Sequence, residues 1–319
     1  MTPVTPVTAN PPTAEKPPAP GHPPQPEPAR AERRRKRAAE KDVVPAGLRG
    51  TPAGKALRVV LLTVAALATI FPFYAMVVLS LKPSAAVEFP GSLVPWPLTG
   101  EAYDSVLGTQ DVPRWLLNTL LYSIVSVIGV LLLSSLAGYA FAKKRFPGRN
   151  AMFWSFLSMV MVPYHVTMIP TFAMIAKLGG IDTYWGLILP TLANAQAVFL
   201  MRQFIKGLPD ELFEAARLDG CSEWQIFSRI VLPLLKPILA TLGVFVFLWH
   251  WNDFLWPLVV GQSTDMRTLT VGIASLQQQN VPLNVVLSGS VIAFVPIFAA
   301  YLVGQRYFTE GVTASGIKG

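Results

Sequence analysis

The chain has 319 residues, a formal net charge of +8, 52% hydrophobic and only 14% charged residues, and one cysteine. A soluble domain usually carries about 25% charged residues, so a mean hydropathy of +0.46 with the charges gathered into clusters points to a membrane protein. One cysteine excludes an intrachain disulfide and a cysteine-based metal site, and the positive excess lies mostly in residues 30–41, so no nucleic-acid partner is expected.

Residues 1–55 are rich in proline, alanine and charge and cannot form a core; a disordered tail is expected there. No short apolar core with a cleavage site follows the start, so secretory processing is not expected. The basic run RAERRRKRAAEK suits a segment held in the cytoplasm against anionic lipid. Six apolar stretches of spanning length follow, at 57–81, 115–142, 151–176, 184–205, 237–260 and 285–303. Spans this long satisfy their backbone only as helices. The expected fold class is therefore all-α, a polytopic membrane protein with six transmembrane helices over residues 56–304, lying in the lipid bilayer of the cytoplasmic membrane.

Lysine and arginine set the orientation. The second loop, KKRFPGR, is basic, and the fourth carries Arg202, Lys206, Arg217, Arg229 and Lys236. The first loop is acidic, and the third and fifth hold little more than Lys177 and Arg267. Both termini and loops two and four are expected in the cytoplasm.

Loop four, residues 205–236, interrupts an apolar chain with charges of both signs. Pro209, Asp210 and Glu211 start a helix, Leu212, Phe213 and Ala216 fall on one of its faces, and Gly220 ends it. Ser222 and Gln225 form a capping box that starts the next turn, and Pro233 and Pro237 lead back into the membrane. A membrane-surface helix would be basic on its polar face. This one is largely acidic, which favours a groove on another protein, with Leu212, Phe213 and Ala216 as the inserted face.

Glu214-Ala215-Ala216, three residues, Gly220, nine residues, Ile230, one residue, Leu232-Pro233 resembles the EAA loop of bacterial ABC importer permeases at every position. The stretches MVPYHVTMIPTFAMIAKLGGIDTYWGLILP and WNDFLWPL, and the final QRYFTEGVTASGIKG, are similar to the MalG-like carbohydrate permeases of binding-protein-dependent transport systems. The resemblance covers residues 57–319. It implies the MetI/MalG-like permease fold and a coupling role for the loop, with Glu214 as anchoring charge. It further implies a MalF-like partner permease in a heterodimer, two copies of an ABC ATPase subunit, and an extracytoplasmic solute-binding protein. The tail, residues 305–319, would reach the ATPase through Gln305, Arg306, Gly316, Lys318 and Gly319.

No Walker A loop is present: GTPAGKA has the wrong spacing and lacks the magnesium-holding hydroxyl. No cofactor is expected on this chain, with ATP and magnesium on the partner ATPase. His22, His165 and His250 stand apart, so no metal site and no catalytic residues are expected. Polar residues within spans are costly and tend to face a cavity or one another. Asn118, Tyr164, Asn194, Gln196, Trp251, Asn252 and Asp253 are the candidates for a sugar path, with Trp256 for stacking and interhelical hydrogen bonding as the alternative role. The expected function is import of a sugar or oligosaccharide. Glycerol 3-phosphate or another polyol is the alternative cargo, an ATP-independent secondary transporter the alternative mechanism, and an intramembrane hydrolase lacks a nucleophile–base pair.

Overall fold

The computed structural model describes residues 51–84, 93–108 and 111–315, with backbone only at 303 and 306–315. The tail and basic run of residues 1–50 lie outside the described residues, as do Gly316, Lys318 and Gly319. Among the described residues every regular element is helical. The chain divides into two units, residues 1–70 and 71–319. Helix α1, Pro52–Ser80, begins in the first and ends in the second. Beyond Arg58, residues 59–70 are apolar but for two threonines and exposed all round, as a lipid-facing helix permits.

In the second unit a short helix α2, Glu101–Gly108, precedes α3, Val112–Lys143. Pro113 opens α3, where its missing N–H costs nothing. At 32 residues α3 is about 48 Å long, beyond the roughly 30 Å of a bilayer's hydrocarbon core. Its burial is the reverse of a soluble helix. Leu117, Leu121, Ile124, Ile128 and Leu132 are exposed, while Asn118, Thr119, Ser123, Ser126, Ser134 and Ser135 are buried. Where lipid is the solvent, apolar burial drives nothing, and small polar residues let helices approach closely. Gly138 shows this: a Cβ there would lie 2.7 Å from Met201 and 3.0 Å from the Arg202 backbone nitrogen.

Two spans expected as single helices are bent pairs. Residues 151–176 form α4, Arg149–Ser158, and α5, Tyr164–Lys177, bent by 103° at Val162 and Pro163. Residues 184–205 form α6, Tyr184–Ile188, and α7, Ala195–Lys206, bent by 46°. Proline removes an N–H and turns the preceding residue extended, and Val162 is extended with ψ 120°. Asn194 restarts α7 by accepting from the Ala197 N–H at 2.9 Å. Three single helices and three bent pairs, the third being Glu223–Leu234 with Lys236–Trp251 at 74°, give up to six spans when each pair counts as one.

The chain then forms α8, Asp210–Leu218, α9, Glu223–Gln225, a π-helical stretch at Ile226–Val231, α10, Leu232–Leu234, and α11, Lys236–Trp251. The expected fifth span, residues 237–260, breaks after Trp251 and resumes as α12, Leu255–Val260. Helix α13, Leu269–Gln278, and the long α14, Leu283–Ser315, complete the fold. The tail boundary expected at residue 305 falls inside α14.

Candidate functional site

The EAA loop is built as its residue types require. Pro209 sits just before α8, and Asp210 and Glu211 occupy its first turn, where negative charge suits the helix dipole. At the far end Gly220 has φ +75°, the Gly220 N–H donates to Arg217 O at 3.1 Å and the Cys221 N–H to Ala216 O at 3.0 Å. This pair of bonds is a Schellman stop. Ser222 and Gln225 then close the capping box, at 2.7 and 3.3 Å.

The inserted face is corrected. Phe213 and Ala216 are buried in this chain's own core with Tyr139, Met201, Ile205, Ile226, Phe227 and Val231. The apolar stripe of α8 therefore attaches the loop to its own helices. The free face carries Glu211, Leu212, Glu214, Ala215, Arg217 and Leu218, all exposed, with Leu218 at 89% and Trp224 beyond it at 64%. Ile230 is half-buried against the same core, and Leu232 and Pro233 follow the π-helical stretch. Pro233 offers no N–H to the Arg229 carbonyl, and the ladder widens to bonds such as Leu232 N–H to Phe227 O.

The end of α3 clasps both arms of this loop. Lys143 Nζ donates to Leu208 O at 2.8 Å and to Asp210 Oδ1 at 2.7 Å, and lies 4.5 Å from the Phe213 ring centre. Tyr139 OH donates to Glu223 Oε2 at 2.7 Å; Lys144 pairs with the same carboxylate and Arg217 reaches it at 3.7 Å. The hydrogen bond and charge of Lys143 hold the Asp210 carboxyl below its ordinary pKa. Tyr139, Lys143, Lys144 and Glu223 are missing from the expected site. In the sequence the basic loop signals topology, and nothing in it reveals which carboxylates it meets.

The expected path residues separate. Asn118 is enclosed: its Nδ2 donates to Asp265 O at 2.7 Å and Arg267 O at 2.8 Å, and its Oδ1 accepts from Tyr184 OH at 2.7 Å. Trp251 is equally enclosed, with Nε1 donating to Ala293 O at 3.1 Å, and Trp256 donates to Leu187 O at 3.0 Å. These three hold helices together, which corrects their assignment to a path. Asn194 is half-buried and spends its carbonyl on the α7 cap. Tyr164, Gln196 and Asn252 are exposed, and Asp253 is half-buried, accepting from Tyr122 OH at 2.8 Å. Tyr122, which fixes Asp253, had no signal in the sequence beyond its place in a span. Gln305 is exposed on α14, and the side chain of Arg306 lies outside the described residues.

Residues 130–313 match the family described as binding-protein-dependent transport system inner membrane component. The chain is 40% identical over 255 residues to the arabinooligosaccharides transport system permease protein AraQ of Halalkalibacterium halodurans, covering 78% of this chain and 91% of that one. It is 36% identical over 266 residues to the sn-glycerol-3-phosphate transport system permease protein UgpE of Yersinia enterocolitica, covering 80% and 95%. Its fold is similar to a chain of a bacterial ABC transporter involved in import of the acidic polysaccharide alginate, with TM-score 0.71, 26% identity, and coverage of 81% and 99%. A second alginate transporter structure, in complex with its pentasaccharide-bound periplasmic protein, shares the fold at TM-score 0.51 and 17% identity, covering 79% and 93%. Helical spans, loop and matches agree: this chain belongs to the family of binding-protein-dependent transport system inner membrane components.

Proposed function

We propose that this chain is the permease subunit of an ATP-driven importer for a neutral sugar or oligosaccharide, working by alternating access. The observation that carries the proposal is α8: a short helix with acids and Leu212, Ala215 and Leu218 exposed, attached by Phe213 and Ala216 to the membrane helices. Such a helix suits a cleft on a separate ATPase, with Glu214 as the charge that pairs there. ATP and magnesium then belong to two copies of that ATPase, a different permease chain completes the pathway, and an extracytoplasmic binding protein delivers the solute. The termini and the EAA loop face the cytoplasm, as the basic second and fourth loops direct.

For the cargo, Tyr164, Gln196, Asn252 and Asp253 supply an aromatic face, amides and a carboxylate, the partners that sugar hydroxyls take. Glycerol 3-phosphate, the cargo named for UgpE relatives, is the second candidate. A phosphate calls for cationic partners, and this set has none.

Two measurements test the proposal. The partner ATPase is expected to co-purify with wild type and to be lost or weakened with Glu214→Ala. In membrane vesicles, labelled arabinooligosaccharide is expected to enter and labelled glycerol 3-phosphate to stay out. Undiminished ATPase binding by Glu214→Ala contradicts the joint, and uptake of glycerol 3-phosphate alone contradicts the cargo.

A further inference from the structure

Helix α3 is tied at both ends, to different parts of the chain. At one end Lys143 holds Leu208 ahead of α8 and Asp210 at its start, while Tyr139 and Lys144 hold Glu223 after the Gly220 turn. At the other, Trp115 Nε1 donates to Thr264 O at 3.1 Å, Asn118 binds the carbonyls of Asp265 and Arg267, and Thr119 Oγ1 accepts from the Leu269 N–H at 2.7 Å. Between them Tyr122 holds Asp253. Proline occurs in α3 only in its first turn, and the helix runs unbroken for 32 residues.

The direct chain connection from the loop is built differently. It passes through the π-helical Ile226–Val231, Pro233 and a bend of 74° into α11, which itself ends at Trp251. π-helical turns and prolines are where helices yield. A straight helix carries displacement along its axis, while a bent one absorbs part of it.

We propose that α3 is the transmission rod of this permease: the Lys143–Asp210 and Tyr139–Glu223–Lys144 contacts grip the EAA loop, and movement of the loop reaches segment 264–269 and Asp253 through α3. The proposal presupposes that the EAA loop is the ATPase joint. Exposed ion pairs are individually weak, and Asp210 is 79% exposed. The grip comes from convergence. The Lys143 side chain is only 8% exposed and is held by a carbonyl, a carboxylate and an aromatic ring, so α3 cannot slide past the loop without stranding a buried ammonium.

The test uses the full complex, with partner permease, ATPase and binding protein, in proteoliposomes. Gln262 is exposed, just ahead of the 264–269 segment, so Gln262→Cys in a Cys221→Ser background reports movement there through its labelling rate with fluorescein maleimide. ATP is expected to change that rate in the otherwise unaltered complex. In Asp210→Asn with Lys144→Gln, ATPase binding and ATP hydrolysis are expected to persist while the ATP-dependent change falls about fivefold, the lower end of ordinary allosteric couplings. Asp210→Glu with Lys144→Arg keeps the charges and is expected to restore it. An undiminished change in the neutral pair overturns the proposal. So does loss of ATPase binding in that pair, which makes these residues part of the docking surface. If the unaltered complex binds no ATPase, the joint itself is refuted, an outcome separate from the choice of route.

Discussion

Gly220 shows how one residue sets the shape of the coupling loop. Its φ is +75°, and beyond Gly220 and its two chain neighbours no heavy atom lies within 4 Å of where a Cβ would be. Gly220→Ala therefore meets no clash and suffers only left-handed backbone strain, about 1–2 kcal/mol. The expected result is ATPase affinity lower by about tenfold with unchanged membrane level, and partial recovery in Gly220→Asn, since asparagine tolerates that conformation. Titrated co-purification in detergent measures both. Asn118 is the opposite kind of residue, with its amide and carbonyl committed to three partners inside the fold. Asn118→Leu keeps the branching of the side chain, with bulkier methyl groups, but strands the Tyr184 hydroxyl and two carbonyls. It is expected to destabilise the permease by about 3 kcal/mol, seen as a lower thermal unfolding midpoint, whereas Gln196→Ala at its exposed position is expected to shift stability by less than about 0.5 kcal/mol. The Gly220 turn and the Ser222 cap were legible in the sequence because turn and cap chemistry is local. The direction of Phe213 was not: helical spacing marks a stripe, but whether that stripe meets its own chain or a partner depends on tertiary packing.

At the scale of elements, the clasp makes a prediction about pH. The Lys143 hydrogen bond and charge lower the Asp210 pKa, so the pair stabilises the folded loop above the ordinary carboxylate value. That contribution disappears as pH falls through the lowered value. Hydrogen exchange of α8 is expected to be insensitive to protonation from about pH 8 to pH 5, once intrinsic rates are corrected, and protection is expected to drop below about pH 4. In Asp210→Asn the acid-dependent loss tied to this pair should vanish. The six apolar stretches were readable from hydropathy and loop charge, but their interruptions were not. Hydropathy counts apolar residues; it does not follow the hydrogen-bond ladder that Pro163 breaks or that Asn194 restarts. The break after Trp251 had no proline to announce it: Asn252 ends α11, donating its side chain to Leu248 O at 2.8 Å.

Across the molecule, α3 illustrates membrane folding from the inside. Its serines, threonine and asparagine are buried while Leu117, Leu121, Leu132 and Leu133 face outward, so close approach at small polar residues joins apolar packing as a source of cohesion. Polar residues in spans were thus poor guides to a solute path. Asn118 and Trp251 hold the structure together, while Tyr164, Gln196, Asn252 and Asp253 remain accessible. The EAA loop was the most legible feature, since seven of its residues follow one spacing and its local chemistry requires the turn that the structure contains. The most direct measurement of the central claim is arabinooligosaccharide uptake into proteoliposomes containing this chain, its partner permease, the ATPase and the binding protein. Uptake is expected to require both ATP and the binding protein, and to fall at least tenfold in Glu214→Ala. Equal uptake without ATP, or with Glu214→Ala, would contradict the claim that this loop couples the membrane helices to an ATPase.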